Sequence, residues 1–275
     1  MIKSTCRRSP MNTNAVSRVG SIASYMFTGL LLYFAATSAG LTADLRSNAS
    51  MRNGIVRGTL HLSGRIDRDD YKRVSEAIRS FLDRGQDLDL TVYVNSVGGD
   101  VETSIRIGRL LRKFDATVWV HSSAQCLSSC VFVLAGGDIK IVMNRASVGI
   151  HRPYISDISV DPSYKDVRFL YSKTQEQARK YLEDMNISPI LIDEMFSIPP
   201  ESIRLLSKAD LERFGLNRPD PIRQEMRDIS AARRLGISRE DYLRRRGRLD
   251  IVCDVYRGDS ARMDMCIADV MDGRR

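Results

Sequence analysis

What this sequence lacks narrows it before any motif is read. Its 275 residues include only three histidines and five cysteines. It has no G-x-x-x-x-G-K-[ST] motif, so the chain brings no phosphate-cradling loop of its own. No internal repeat is present. The first 43 residues hold Lys3, Arg7, Arg8 and Arg18 and not one acid. With those set aside, the net charge of +8 shrinks to 38 basic against 34 acidic residues in mixed clusters. No aromatic-interleaved basic patch stands out, so nucleic acid is not an expected partner. The R-R-R-G-R run at 244–248 reads as a solvated face. The whole chain, 43% hydrophobic and 28% charged, has the composition of a globular protein with one good core and room for a small second unit.

The acid-free start reads as a targeting segment. A basic stretch ends at Arg18, an uncharged run extends from Val19 to Ala43, and its apolar heart is Y-M-F-T-G-L-L-L-Y-F-A-A. Small residues, T-S-A-G-L-T-A, close it. The pattern is that of a secretory signal cleaved after Ala39 or Ala43. The alternatives are an uncleaved membrane anchor, since the run is long enough to span a bilayer, and a buried core helix. Export or anchoring places the body outside the cytoplasm, periplasmic or secreted in the first case and tethered to the membrane in the second. Beyond Cys6 in this segment, Cys126, Cys130, Cys253 and Cys266 fall into two local pairs, which suits two disulfides in an oxidising compartment.

The organisation is then 1–43 as leader or anchor, 44–54 as a polar linker, 55–217 as the main domain and 218–275 as a charged helical extension. I-V-R-G-T-L-H-L-S-G-R-I predicts a strand ending near Gly64. Tyr71, Val74, Ile78, Phe81 and Leu82 recur at helical spacing. L-D-L-T-V-Y-V-N-S predicts a second strand, and Ile105, Ile107, Leu110 and Leu111 a second helix. A-T-V-W-V-H is a third strand, D-I-K-I-V-M and V-G-I-H-R-P are further short ones, and 164–185 is a long amphipathic helix. Strands alternating with helices imply an α/β fold with a parallel sheet and crossover helices.

The chemistry gathers at three places. N-S-V-G-G-D, residues 95–100, closes the second strand and opens a helix, and glycines there free backbone N–H groups to face an anion. In Q-C-L-S-S-C-V-F-V-L-A-G-G, residues 125–137, Ser128 opens a short apolar helix, where the N–H of Ser129 and the helix dipole add to an oxyanion site. V-G-I-H-R-P puts His151 at a strand end, where an imidazole takes a serine proton. Taken alone, a serine in an apolar helix more often allows close packing. His61 and His121 read as structural. Arg152 reads as a surface ion-pair partner or a binder of a substrate carboxylate. Cys126 and Cys130, two residues either side of Ser128, read as a disulfide across the helix entrance or, with His121 or His151, as part of a metal site. Cys253 and Cys266 tie the tail into a hairpin of helices.

The order S-G-x-I-D, N-S-x-G-G, a serine before an apolar run ending in A-G, and I-H-x-P resembles the Clp protease proteolytic subunit, a family with the ClpP/crotonase fold. From Ser128 the likeness to A-S-M-G-A-F-L-L-x-A-G is ungapped, and L-L-S-K-A-D-L-E-R-F-G-L resembles a later family segment. The similarity covers about residues 60–216 and looks closest to exported bacterial members with C-x-S-x-C at the nucleophile. The resemblance implies a serine hydrolase, expected to be a peptidase, with Ser128 as nucleophile, His151 as general base, and the N–H groups of Gly99 and Ser129 as oxyanion hole. The missing phosphate loop and an exported location, which holds no ATP, argue against work with a Clp ATPase. The resemblance also implies no metal and no cofactor, a peptide or protein substrate, and a homo-oligomer built through the helix at 164–185. The third catalytic position departs from the family: it falls on Pro199, and the nearest carboxylates are Glu201 and Asp193. A catalytically inactive, oligomeric binding module of the same fold is the alternative. Two further readings are acyl-CoA chemistry of the crotonase kind, which an exported location disfavours, and a Ser-Lys dyad through Lys140.

Overall fold

The computed structural model describes residues 43–154 and 163–275. The targeting segment, Ala43 apart, lies outside the described residues, as does Cys6. Among the described residues no helix is long and apolar enough to cross a membrane.

The sheet is mixed but mostly parallel. Its strands are β1 (Asp44–Arg52), β2 (Ile55–Ile66), β3 (Leu88–Gly99), β4 (Thr117–Val120), β5 (Gln125–Leu127), β6 (Ile139–Val142), β7 (Ser147–Ile150) and β8 (Arg204–Leu205). β1 with β2 and β7 with β8 run antiparallel; the other pairings are parallel. Helices α1 (Asp70–Leu82) and α2 (Val101–Lys113) carry the early crossovers, and α3 (Cys130–Ala135) links β5 to β6. The fold is thus the α/β arrangement with a mostly parallel sheet and crossover helices expected from the alternation of strand and helix patterns, and it is consistent with the ClpP-like fold that the resemblance implies.

Along β2 and β3 every second side chain, including Leu60, Leu62, Leu90, Val92 and Val94, is buried, which is the period of a strand with one face on the core. α3 is apolar all round, and all six of its residues are buried, so it runs through the core. It passes α2 so closely that a Cβ on Gly136 would come within 2.3 Å of the Gly108 carbonyl oxygen. Tyr181, fully buried on α4 (Tyr164–Asp184), donates its hydroxyl to the Phe132 carbonyl at 2.7 Å and braces the same helix.

The sheet forks at β3, and the fork positions the site. The first half of β3 pairs with β4 through Thr91–Tyr93, while Ser96 at its far end pairs with Cys126 of β5. β5 in turn pairs with β7. Three parallel strand ends therefore lie side by side in the order β3, β5, β7. Gly98–Gly99 close the first of them, Ser128 comes directly after the second and His151 directly after the third.

One expectation is corrected here. Residues 44–52 are not a linker: they form β1, paired with β2 over nine residues. Most of their side chains are exposed, and a solvent-facing hairpin needs no apolar alternation strong enough to announce it.

After α4 come α5 (Ile190–Ser197) and α6 (Lys208–Phe214), the latter with a capping box between Ser207 and Asp210. The extension adds α7 (Pro221–Arg234), α8 (Arg239–Val252) and α9 (Ser260–Asp272). α7 is anchored by buried charge. The Arg112 guanidinium lies 3.0 Å from Asp220 and 3.8 Å from Asp138, and Asp138 also pairs with Arg227 and, at 3.2 Å, Arg223. Burial alone would raise the Asp220 carboxyl, but the Arg223 N–H, the Asn186 amide and Arg112 together hold it below the usual range. The basic run of α8 is largely spoken for. Arg244 pairs with Asp241 and Arg246 with Asp228, while Arg245 donates to the Met271 carbonyl at 2.5 Å.

Candidate active site

Ser128 stands just past β5, two residues before α3 begins, rather than in the first turn of the helix. Its φ is +56°, a left-handed conformation that a residue with a Cβ adopts at a cost of order 1 kcal/mol. Its N–H donates to the Gly149 carbonyl of β7 at 2.8 Å. The strained turn thus hangs from the neighbouring strand while its side chain emerges at the edge of a cleft. Cys126 and Cys130 bracket it at disulfide distance, with Cα atoms 5.2 Å apart. Both sulfurs are thereby committed to each other. Among the described residues no group of three or more His, Cys, Asp or Glu is placed to hold a metal.

The N-S-V-G-G-D turn lies against it. Gly98 has φ +88°, and a Cβ there would sit 2.8 Å from the Ser128 Cβ and 2.9 Å from the Ser129 nitrogen, so only glycine lets the two turns touch. The buried Ser96 hydroxyl ties the motif together: it donates to the Gly64 carbonyl at 2.6 Å and accepts from the Gly98 N–H at 3.0 Å. Asn95 accepts from the Gln125 N–H at 3.1 Å and so pins the start of β5. Asp100 caps α2 by accepting from the Thr103 N–H at 2.7 Å. Sequence reasoning does not single out Asn95 and Ser96; their signal is their place directly before the glycine pair.

The two expected oxyanion donors differ in state. Among the described residues no acceptor engages the Ser129 N–H. The Gly99 N–H, expected to face an incoming anion, instead donates to the Ser129 hydroxyl oxygen at 2.8 Å. Ser129 is buried and occupies the N-cap position of α3, yet its hydroxyl makes no cap bond to its own helix.

His151 comes directly after β7, 7% exposed, and lines with Ser128, Gly99, Val101, Pro153 and Tyr154 one cleft of about 1050 Å³. Leu170, Tyr171 and Lys173 of α4 also line it. The His151 Nδ1 sits 2.9 Å from the carbonyl oxygen of Arg152. A carbonyl only accepts, so the bond assigns the hydrogen to Nδ1 and leaves the Nε2 lone pair free.

Neither expected third carboxylate is the partner of Nδ1, which is that backbone carbonyl. Asp193, on α5, is drawn away by Arg179 and by the Gln175 amide at 3.3 Å. Glu201 stands exposed on the turn after Pro199–Pro200. That turn does run beside the histidine, since the Arg152 N–H donates to the Ile198 carbonyl at 2.9 Å, but it offers main chain rather than an acid.

Lys140, the alternative base, is buried on β6 and donates to the Gly137 carbonyl at 3.1 Å, at the opposite end of α3 from Ser128. Burial, followed by the nearby Arg112, lowers its pKa to about 8. It does not line the cleft. His61 and His121 lie in an aromatic stripe with Tyr93 and Trp119, His61 stacked on Tyr93 at 4.8 Å. Arg152 pairs with no acid among the described residues: its guanidinium lies over the Tyr171 ring at 5.3 Å.

A family model described as Clp protease matches residues 45–185, and no curated protein matches the sequence.

Proposed function

The chain belongs to the Clp protease family, a membership that carries a peptidase-like serine hydrolase, and from that premise we propose an exported, ATP-independent serine peptidase with Ser128 as nucleophile and His151 as general base. One observation carries the assignment. The parallel ends of β3, β5 and β7 bring the glycine turn, Ser128 and His151 to the rim of one cleft, and among the described residues no other serine–histidine pair lines it. The two local disulfides support export. Membership also supports a homo-oligomer. The exposed Phe169 on α4, at 66%, is the kind of surface such an association covers.

The catalytic steps rest on this geometry. A peptide lies in the cleft with its scissile carbonyl over Ser128. His151 Nε2 takes the Oγ proton as Oγ bonds to the carbonyl carbon, and the Ser129 N–H donates to the oxyanion. The imidazolium then protonates the leaving amine, and water repeats the sequence on the ester. The Arg152 carbonyl fixes the productive tautomer, as the family's carboxylate would, without bringing a full negative charge to the imidazolium. A slower enzyme than a carboxylate-assisted one is the consequence.

The test is a fluorophosphonate probe on mature protein purified from an oxidising compartment. Labelling is expected, absent in Ser128→Ala and His151→Ala and retained in Lys140→Ala. Wild-type protein that labels no more than Ser128→Ala would instead make this a binding module of the same fold.

A further inference from the structure

We propose that the side chain of Ser129 is a latch on the oxyanion hole: its hydroxyl holds the Gly99 N–H in the resting site and has to surrender it before the transition state is fully stabilised. The inference rests on Ser128 being the nucleophile. The Gly99 N–H donates to Ser129 Oγ at 2.8 Å. Ser104 Oγ lies 3.1 Å from the same oxygen and 2.8 Å from the Asp100 carbonyl. The carbonyl can only accept, so Ser104 spends its one proton there, and the Ser129 proton points at Ser104. The run is Gly99 N–H to Ser129 to Ser104 to the Asp100 carbonyl, and both of its ends belong to one turn of backbone.

Two features make this more than incidental packing. All three hydrogen-bonding side-chain and main-chain groups around Ser129 are satisfied inside the protein, with Ser129 and Ser104 buried, so the arrangement is a closed network rather than a chance contact. A serine at an N-cap ordinarily turns its oxygen to the first N–H groups of its own helix, and this one does not. The hydroxyl proton faces inward to Ser104, so Ser129 occupies a donor without offering one to the cleft. An oxyanion forming on Ser128 then meets the Ser129 N–H alone until it displaces a neutral hydrogen bond at Gly99.

Removing the hydroxyl frees the Gly99 N–H, and the reaction gains what the displaced bond cost. Such a bond is worth a factor of about three to ten. The experiment measures the saturation kinetics of fluorophosphonate labelling, in which Ser128 Oγ bonds to phosphorus, fluoride departs and the phosphonyl oxygen occupies the oxyanion position. Ser129→Ala is expected to raise the limiting inactivation rate constant about three- to tenfold with the probe's half-saturation concentration unchanged. Ser129→Gly, tolerated at an N-cap, repeats the gain. Ser129→Thr keeps the hydroxyl and is expected not to reproduce the gain of the Ala and Gly variants, a split that a purely structural role for the side chain would not predict. Wild-type labelling at Ser128 with Ala and Gly variants that are equal or slower overturns the latch alone. Folded wild-type and variant proteins that all fail to label overturn the latch and the nucleophile together.

Discussion

The main domain and the C-terminal extension hold themselves together with different materials. Residues from Ala43 to Leu216 form one continuous apolar core that takes in β2, β3, α2 and α3. The extension has a second, separate cluster of only three buried residues, Cys253, Cys266 and Val270, with Leu249, Val252, Tyr256 and Met263 packed around them. It compensates with a disulfide, with ion pairs along α7 and α8, and with the buried charges around Arg112 that clamp α7 to the main domain. The two disulfides make the same point. Cys253–Cys266 spans 13 positions and substitutes for a core. Cys126–Cys130 spans four, lies within a core already complete, and bears on the shape of the Ser128 turn. A bond of one kind serves stability in one region and geometry in the other.

That contrast can be broken first at the clamp. Arg112→Ala leaves Asp138 and Asp220 buried without their shared cation and is expected to cost about 3–5 kcal/mol by chemical denaturation. A loss under about 1 kcal/mol would mean that the apolar core alone seats the extension. Next comes the longer disulfide. Cys253→Ser is expected to remove roughly 3 kcal/mol from the extension, read as faster amide exchange in α8 and α9 with labelling at Ser128 unchanged. The double variant Cys126→Ser, Cys130→Ser should do the reverse, slowing labelling about 10²-fold with little change in global stability. Equal effects of the two disulfides on labelling would erase the distinction between them.

A fourth prediction uses pH. Folding lowers the Lys140 pKa from 10.5 to about 8, chiefly by burial, so between those values the unfolded chain holds a proton that the folded one has released. Stability therefore rises as pH climbs from about 8 towards 10.5. The amplitude expected is roughly 3 kcal/mol, and Lys140→Met should flatten the rise and stabilise the protein near neutrality. A flat wild-type profile would show that the ammonium is well solvated by its surroundings. The smallest effect is expected at Arg248, exposed on α8 and outside the pairings of its neighbours. Arg248→Ala should stay within about 0.5 kcal/mol of wild type.

Much of this is legible in the sequence wherever side chains carry the information. The apolar alternation of β2 and β3 and the helical spacing in α1, α2 and α4 arise from burial on one face, and burial selects residue type. β1 is not legible because an exposed hairpin strand selects almost nothing. β5, three residues long, is defined by its neighbours and not by its composition. At the site, Ser128, His151 and the glycine pair announce themselves through motif context. The partner of His151 does not, because a backbone carbonyl belongs to every residue and leaves no trace in composition. The expected carboxylates Glu201 and Asp193 lie within a few residues of Pro199 in sequence, and one is exposed while the other is held by Arg179. The latching hydroxyl of Ser129 is hidden for another reason: sequence context draws attention to the N–H of this residue, and only its position against Gly99 reveals the role of its oxygen.

The central claim, that Ser128 is an activated nucleophile, is tested most directly by locating the fluorophosphonate adduct by peptide mass spectrometry. The account predicts a single adduct on the Ser128 hydroxyl, lost when His151 is replaced by alanine. An adduct on Ser129 or elsewhere, or none on a folded protein with both disulfides intact, would contradict it.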